Sequence, residues 1–198
     1  DSRNFGSDIE LVRFSGGAKL DATARAVSSA TFAQSTPAVT ASDGDFFAVW
    51  ADSRGGIDRD IFGARVTAAG VVLDPGGKEI ASATADQLVP DIATDGTVAL
   101  VVWQDRRNGN FDILGAVVDN ATGNVTASDL VICDATGDQV RPSVAFDVTT
   151  SQFVVVWGDA RVAADPDLFG ARVSATGTVL DPNGVQISAV ANGQFSPR

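Results

Sequence analysis

The apolar residues of this chain fall into short runs separated by turn-forming residues. After Pro90, the runs DIAT and TVALVVW flank Asp95-Gly96, and Asp-Gly between two β-rich runs is a strong hairpin signal. The same order of runs follows Pro37 and Pro142. No segment has the sustained 3.6-residue apolar period of an amphipathic helix. The pattern predicts an all-β protein with almost no helix.

Four landmarks recur along the chain with a period of 52 to 55 residues. A Gln-x-x-Pro motif begins each period, and a Trp, an Asp-x-Arg and an Asp-Ile or Asp-Leu pair follow. The glutamines are Gln34, Gln87, Gln139 and Gln194, and the tryptophans are Trp50, Trp103 and Trp157. Four short strands per period of about 50 residues are typical of one blade of a β-propeller. We expect each Trp ring to fill the space between neighbouring blades.

The repeats divide the chain into one propeller-like domain of about three and a half four-stranded blades. Complete blades span residues 37–89, 90–141 and 142–196, residues 1–36 form the outer half of a blade, and residues 197–198 begin another. Such a series is an incomplete ring or part of a longer repeat array, because propellers have four to eight blades. We therefore expect further repeats of the same polypeptide, or a neighbouring subunit, to cover the strand edge at Ile9–Phe14.

One recurring phrase resembles a known class of repeats. The phrase is VVW-x-D-x-R-N-G-N-x-D-I-x-G, followed by Arg-Val, Gly and Val-Leu-Asp. It resembles repeats of secreted or cell-surface bacterial and archaeal proteins, which are similar to TolB-like and other WD40-like propeller repeats. The resemblance implies a propeller fold and an extracellular or cell-surface location, and it is specific for architecture rather than activity. One copy departs from the pattern, with Val117 where the others have Arg13, Arg65 and Arg172.

The amino-acid composition argues against several classes of function. The formal net charge is −11, from 23 Asp and 2 Glu against 12 Arg and 2 Lys, which argues against nucleic acid as a partner. No apolar run is long enough for membrane insertion. His and Tyr are absent, so a Ser-His-Asp triad and a sialidase-type Tyr nucleophile are excluded. The only cysteine, Cys133, lies in an apolar run where a buried, inert thiol is expected.

These exclusions favour a non-enzymatic binding or scaffolding module with a protein or carbohydrate partner. The alternative is a polysaccharide-directed propeller hydrolase or lyase whose catalytic residues lie outside this chain. The two readings differ in symmetry. A scaffold should carry equivalent residues in every repeat, whereas an enzyme should break that symmetry with a buried, unpaired carboxylate in one blade.

The recurring Asp-x-Arg has two interpretations. The arginines could form a ring of anion ligands, or each Asp could pair with its Arg and hold the loop. Because a residue repeated in every blade serves the architecture in most repeat proteins, we favour structural ion pairs. The residues concerned are Asp1, Arg3, Asp52, Arg54, Asp105, Arg107, Asp159 and Arg161.

The same loops are rich in oxygen ligands, which suggests a second hypothesis. Calcium binds six to eight hard oxygens from carboxylates, amides and carbonyls. Asx residues are also common turn formers that need no metal, and the spacing is not that of an EF-hand. The candidate calcium ligands are Asp58, Asp60, Asn110, Asp112, Asp165 and Asp167; no other cofactor is indicated.

Overall fold

The computed structural model describes residues 6–42, 44–161 and 166–188, and all regular structure in these ranges is β-strand. Four short strands come first: β1 (Ile9–Leu11), β2 (Phe14–Ser15), β3 (Ala18–Lys19) and β4 (Arg25–Ser28). The remaining strands are β5 (Gln34–Ser42), β6 (Asp45–Asp52), β7 (Asp60–Val66), β8 (Lys78–Ala81), β9 (Gln87–Thr94), β10 (Val98–Asp105), β11 (Asp112–Asp119), β12 (Val125–Cys133), β13 (Gln139–Asp147), β14 (Gln152–Asp159), β15 (Asp167–Ser174) and β16 (Val185–Ser188).

These strands form three antiparallel four-stranded sheets, in the orders β5-β6-β7-β8, β9-β10-β11-β12 and β13-β14-β15-β16. Each sheet is one blade, so the prediction of an all-β, propeller-type fold is confirmed. Ahead of them, β1 pairs with β4, and β2 pairs with β3 in a small hairpin. In the described part of the chain, no helix is long and apolar enough to cross a membrane.

The first strand of each blade lies next to the first strand of its neighbour, since β9 contacts both β5 and β13. Each of these inner strands begins at the Gln of the repeat and bulges just before its Pro. At the bulge, Thr36, Val89 and Arg141 have left-handed φ angles of 49°, 52° and 54°. Residues other than glycine adopt this conformation at a cost of about 1–3 kcal/mol, so three equivalent positions carry backbone strain.

The core consists of layers between successive blades. Trp103 and Val101 pack against Phe47 and Val49 of the preceding blade, and Trp157 occupies the equivalent place against the second blade. All three tryptophan side chains have no exposed surface. The Trp-bearing face of each second strand therefore points toward the preceding blade, and its opposite face points toward the next.

Candidate functional site

Each blade ends its second strand with the same hydrogen-bonded network. In the second blade, Trp103 Nε1 donates to Asp105 Oδ2 at 3.0 Å. The backbone N–H of Arg107 donates to Asp105 Oδ1 at 3.0 Å, and its Nη2 donates to Oδ2 at 2.8 Å. The indole bonds of Trp50 to Asp52 and of Trp157 to Asp159 measure 2.8 and 2.9 Å. The tryptophan, which sequence reasoning treated only as a space-filling ring, is therefore also a donor in this network.

The arginines of the network bond mainly within their own blades, and Arg54 and Arg161 also reach Ser28 and Cys133 of the preceding blade, at 3.3 and 3.1 Å. Arg54 donates to Gly76 O at 2.6 Å, Arg161 donates to Asn183 O at 2.7 Å, and Arg107 donates to Asp129 at 2.7 Å. The guanidinium groups of Arg54 and Arg161 also lie over Phe rings, 3.9 and 4.1 Å from the ring centroids.

These contacts give each of the three guanidinium groups protein partners of its own, which fits ion pairs that hold the loops. The remaining members of the proposed set, Asp1 and Arg3, lie outside the described residues.

In the third blade, the electrostatics of this network keep both partners charged. Burial by itself would raise the pKa of Asp159, but hydrogen bonds from Arg161 and Trp157 outweigh it and lower the pKa below its ordinary value. The bond from Asp159 raises the pKa of Arg161. A carboxylate with a lowered pKa is a poor general acid at neutral pH, so the network suits a structural role.

Two of the proposed calcium ligands in the second blade bond to each other. Asp112 accepts hydrogen bonds from the side-chain amides of Asn108 and Asn110, each at 2.9 Å. Asn110 therefore presents its nitrogen, not its oxygen, toward the carboxylate. Burial raises the pKa of Asp112, and the two amide bonds act against that rise.

Other proposed calcium ligands also have protein partners. Asp58 accepts from the backbone N–H of Ala85 at 3.1 Å, and Asp167 accepts from Gln186 at 3.0 Å. Burial raises the pKa of Asp60.

Within residues 6–42, 44–161 and 166–188, no group of three or more His, Cys, Asp or Glu side chains is arranged to hold a metal ion. Asp165 lies outside those ranges. The calcium hypothesis stays a prediction.

The recurring glutamine has a role that sequence reasoning left unassigned. Gln34, Gln87 and Gln139 are buried, and the Nε2 of each donates to the carbonyl of the residue two positions earlier at 2.9–3.0 Å; Gln194 lies outside the described residues. Those earlier residues, Phe32, Ala85 and Gly137, all have left-handed φ angles. The side-chain amide therefore closes a strained turn that leads into each inner strand. The repeated positive-φ turn could not be read from residue types, because only one of the three is glycine.

The arginine that Val117 replaces joins adjacent blades. Arg65 donates through Nε to Asp74 at 2.8 Å, and through Nη1 to the carbonyl of Ala121 in the next blade. Arg13 makes the equivalent pair with Asp21 and reaches the carbonyl of Ala68 at 2.8 Å. The sequence did contain a signal for this pair. The second blade, which has Val117 in place of the Arg, also lacks the Asp of the recurring Val-Leu-Asp.

The inner strands carry the polar residues that break the repeat. Asp91 lies on β9 at a position where the other two blades have Ala38 and Ser143. Its Oδ2 accepts bonds from Ser143 Oγ and from the N–H of Val144, both at 2.9 Å, which ties β9 to β13. Arg141 is exposed at the bulge of β13. We refer to Thr36, Val89, Asp91 and Arg141 as the inner-strand surface.

This surface contains too few carboxylates for glycoside hydrolysis by itself. Most enzymes of that class use two carboxyl groups that flank the scissile bond. In the described inner strands the other carboxylate is Asp147, at the end of β13, where it accepts bonds from Thr149 and Thr150. A second carboxylate would have to come from residues outside β5, β9 and β13.

Comparison with known proteins finds similar folds among solved structures but no similar sequence. No family model matches the chain, and no curated protein sequence matches it. Solved structures do match. A family-43 glycoside hydrolase from Xanthomonas citri, complexed with xylose, is 18% identical with a TM-score of 0.54, over 75% of this chain and 54% of that one. A thermostable family-43 glycoside hydrolase is 12% identical with a TM-score of 0.55, over 79% and 54% of the two chains.

An arabinanase from Bacillus subtilis is 16% identical with a TM-score of 0.50, over 78% of this chain and 56% of that one. The chain thus spans about half the length of these structures, which are five-bladed propellers. The similarity to TolB-like and WD40-like repeats stays a prediction, as does the extracellular or cell-surface location. At these identities the likeness concerns the fold alone: the three described blades have the architecture of a propeller.

Proposed function

We propose that this chain is part of a polysaccharide-directed propeller hydrolase, in which its inner strands form one side of the sugar-binding site. The observation that carries the proposal is the position of Asp91. The repeated residues Gln, Trp, Asp and Arg are used in equivalent contacts from blade to blade, whereas an Asp at this position occurs in one blade only. Asp91 breaks the symmetry of the repeat, but it is half-buried and hydrogen-bonded rather than buried and unpaired. The fold likeness to family-43 glycoside hydrolases supports the same reading.

The proposed role of Asp91 is to provide one of the two carboxylates. Hydrogen bonds from Ser143 and Val144 to Oδ2 hold the group in one position, which a reacting group requires. Arg141, which immediately precedes Pro142 in β13, would donate hydrogen bonds to sugar hydroxyls. The second carboxylate would come from blades other than the three described, so this chain by itself should bind an oligosaccharide without cleaving it.

Calorimetric titration with xylo- and arabino-oligosaccharides tests the proposal. We expect Asp91→Asn to weaken binding by about tenfold, which corresponds to about 1.4 kcal/mol. The matched control is Glu79→Gln on the outer strand β8, which removes the same charge away from the inner strands and should leave affinity unchanged. Thermal melts check that both variants fold. Absence of saturable binding to the unmodified chain, or equal losses in both variants, would contradict the proposal.

A non-enzymatic binding or scaffolding role is the second candidate, and a specific observation favours it. The Trp–Asp–Arg network is equivalent in all three described blades, as expected of a scaffold. Release of reducing sugar from xylan or arabinan separates the two functions when it is measured on a chain that carries further blades. If such a chain binds the polysaccharide without releasing sugar, and Asp91→Asn binds equally well, the scaffold reading is favoured.

A further inference from the structure

An apolar groove of about 560 Å³ lies between the first short strands and the first complete blade. Its lining includes Ile9 and Leu11 of β1 and Val39 and Phe46 of the first blade. Val39 is 64% exposed and Phe46 is 38% exposed. Large apolar side chains that lie together at this exposure mark a surface that another element covers.

The positions equivalent to Val39 and Phe46 are less exposed in the other blades, where all are buried except Val144, which is half-buried. Phe46 corresponds to Phe153, four residues before the Trp of the third blade, and Phe153 is 0% exposed. Leu100 and Val102, on the second strand of the preceding blade, pack in the cluster that contains Phe153. Likewise Val39 corresponds to Ile92, which is 5% exposed. The groove is therefore the place where the inner two strands of a preceding blade lie in the rest of the molecule.

The strand beside the groove, β1, also lacks a neighbour that its equivalents have. In the complete blades the third strand pairs with the second on one side and with the fourth on the other, as β11 does with β10 and β12. The Asp8-Ile9 pair marks β1 as a third strand by the repeat, since Asp112-Ile113 begins β11. In the described residues, however, the sheet of β1 contains only β4. The residues of β1 line the groove, and a strand added at its other edge would give β1 the two neighbours that β11 has.

We propose that this groove binds a β-hairpin of the repeat's own inner-strand type, running from the Pro to the Trp of a repeat other than the three described. Its second strand would pair with β1, and its apolar residues three and one positions before the Trp would cover Phe46, as Leu100 and Val102 cover Phe153. The inner hairpins of the described blades are not free for this, because β6, β10 and β14 each already pair with a third strand. The inference does not depend on the proposed function.

Binding of a synthetic hairpin to the whole 198-residue chain tests this inference. The probe is a fluorescein-labelled peptide with the sequence of residues 90–105, whose apolar face covers Phe153 in the third blade. We expect saturable binding by fluorescence anisotropy with a dissociation constant on the order of 10 μM. Val39→Asp places a charge in the groove and should weaken binding by at least about tenfold. The control Ile57→Asp alters a side chain that is 97% exposed and outside the groove, and it should change affinity by less than about twofold.

A second measurement covers the case in which the free peptide does not fold. Fusing residues 90–105 ahead of Asp1 should reduce binding of the hydrophobic dye ANS, which reports exposed apolar surface. The same fusion carrying Val39→Asp should not reduce it. If neither the peptide nor the fusion has its expected effect, the proposal is wrong. If sedimentation shows that the chain dimerises through the groove, with Val39→Asp restoring the monomer, a second copy is the occupant and the hairpin is rejected.

Discussion

Removal of one buried carboxylate should destabilise the second blade far more than removal of an exposed carboxylate on the same arginine. Arg107 contacts both Asp105 and Asp129, at 2.8 and 2.7 Å. The Asp105 side chain is 0% exposed, whereas that of Asp129 is 58% exposed. Asp105→Ala and Asp129→Ala therefore delete the same chemical group from two environments, with one shared partner.

The magnitude follows from what each substitution leaves behind. Without Asp105, the indole N–H of Trp103 and the backbone N–H of Arg107 lose their acceptor, and an unsatisfied buried donor costs about 1–3 kcal/mol. The guanidinium, whose side chain is 25% exposed, also loses its buried partner. Breaking such a pair costs about 3–5 kcal/mol in total. Loss of the exposed Asp129 pair should cost less than about 1 kcal/mol.

Urea denaturation with both variants measures these free energies of unfolding. For a domain of this size, Asp105→Ala should also lower the melting temperature by about 6–20 °C, at 2–4 °C per kcal/mol. Asp129→Ala should lower it by less than about 4 °C. Equal effects of the two substitutions would refute the assignment of the Trp–Asp–Arg network as the element that holds this loop.

Three further outcomes are expected. Gly77→Ala should be more destabilising than Gly76→Ala by about 1–3 kcal/mol. Both glycines have a φ of +82°, but only a Cβ on Gly77 would meet a tryptophan ring, at 2.5 Å. Equal free energies of unfolding for the two variants would contradict this. The bond from Arg172 lowers the pKa of Asp181 to about 2, so its stabilisation is complete above the unfolded pKa near 4 and is lost as pH falls toward 2. Melting temperatures from pH 5 to 2 should fall less steeply in Arg172→Ala, and an unchanged slope would count against the pair. Burial raises the pKa of Cys133 to about 11, so Ellman's reagent at pH 8 should react slowly with the folded protein and quickly in urea; fast reaction in the folded state would show an accessible thiol.

The blades could be predicted from the order of apolar and turn-forming residues, because a β-hairpin is specified by residues that are close together in the sequence. In the second blade, the apolar runs on either side of Asp95-Gly96 became β9 and β10. Apolar alternation chooses the face that is buried, and an Asp-Gly turn chooses where the chain reverses. The candidate site was harder to predict from the sequence. Asp91 is one Asp among 23, and nothing in its neighbours along the chain marks it.

The sequence by itself determined the strand order within each blade, the period of the repeat and the burial of its tryptophans, since these follow from side-chain periodicity and turn chemistry. Tertiary structure decided which groups meet across blades. The bond of Arg65 to Ala121 O joins residues 56 positions apart, and that of Ser143 to Asp91 joins residues 52 apart. Such partners are set by how neighbouring sheets pack, which no local pattern specifies. The exposed groove beside Val39 has the same origin, because a residue's burial depends on whether a neighbouring sheet covers it.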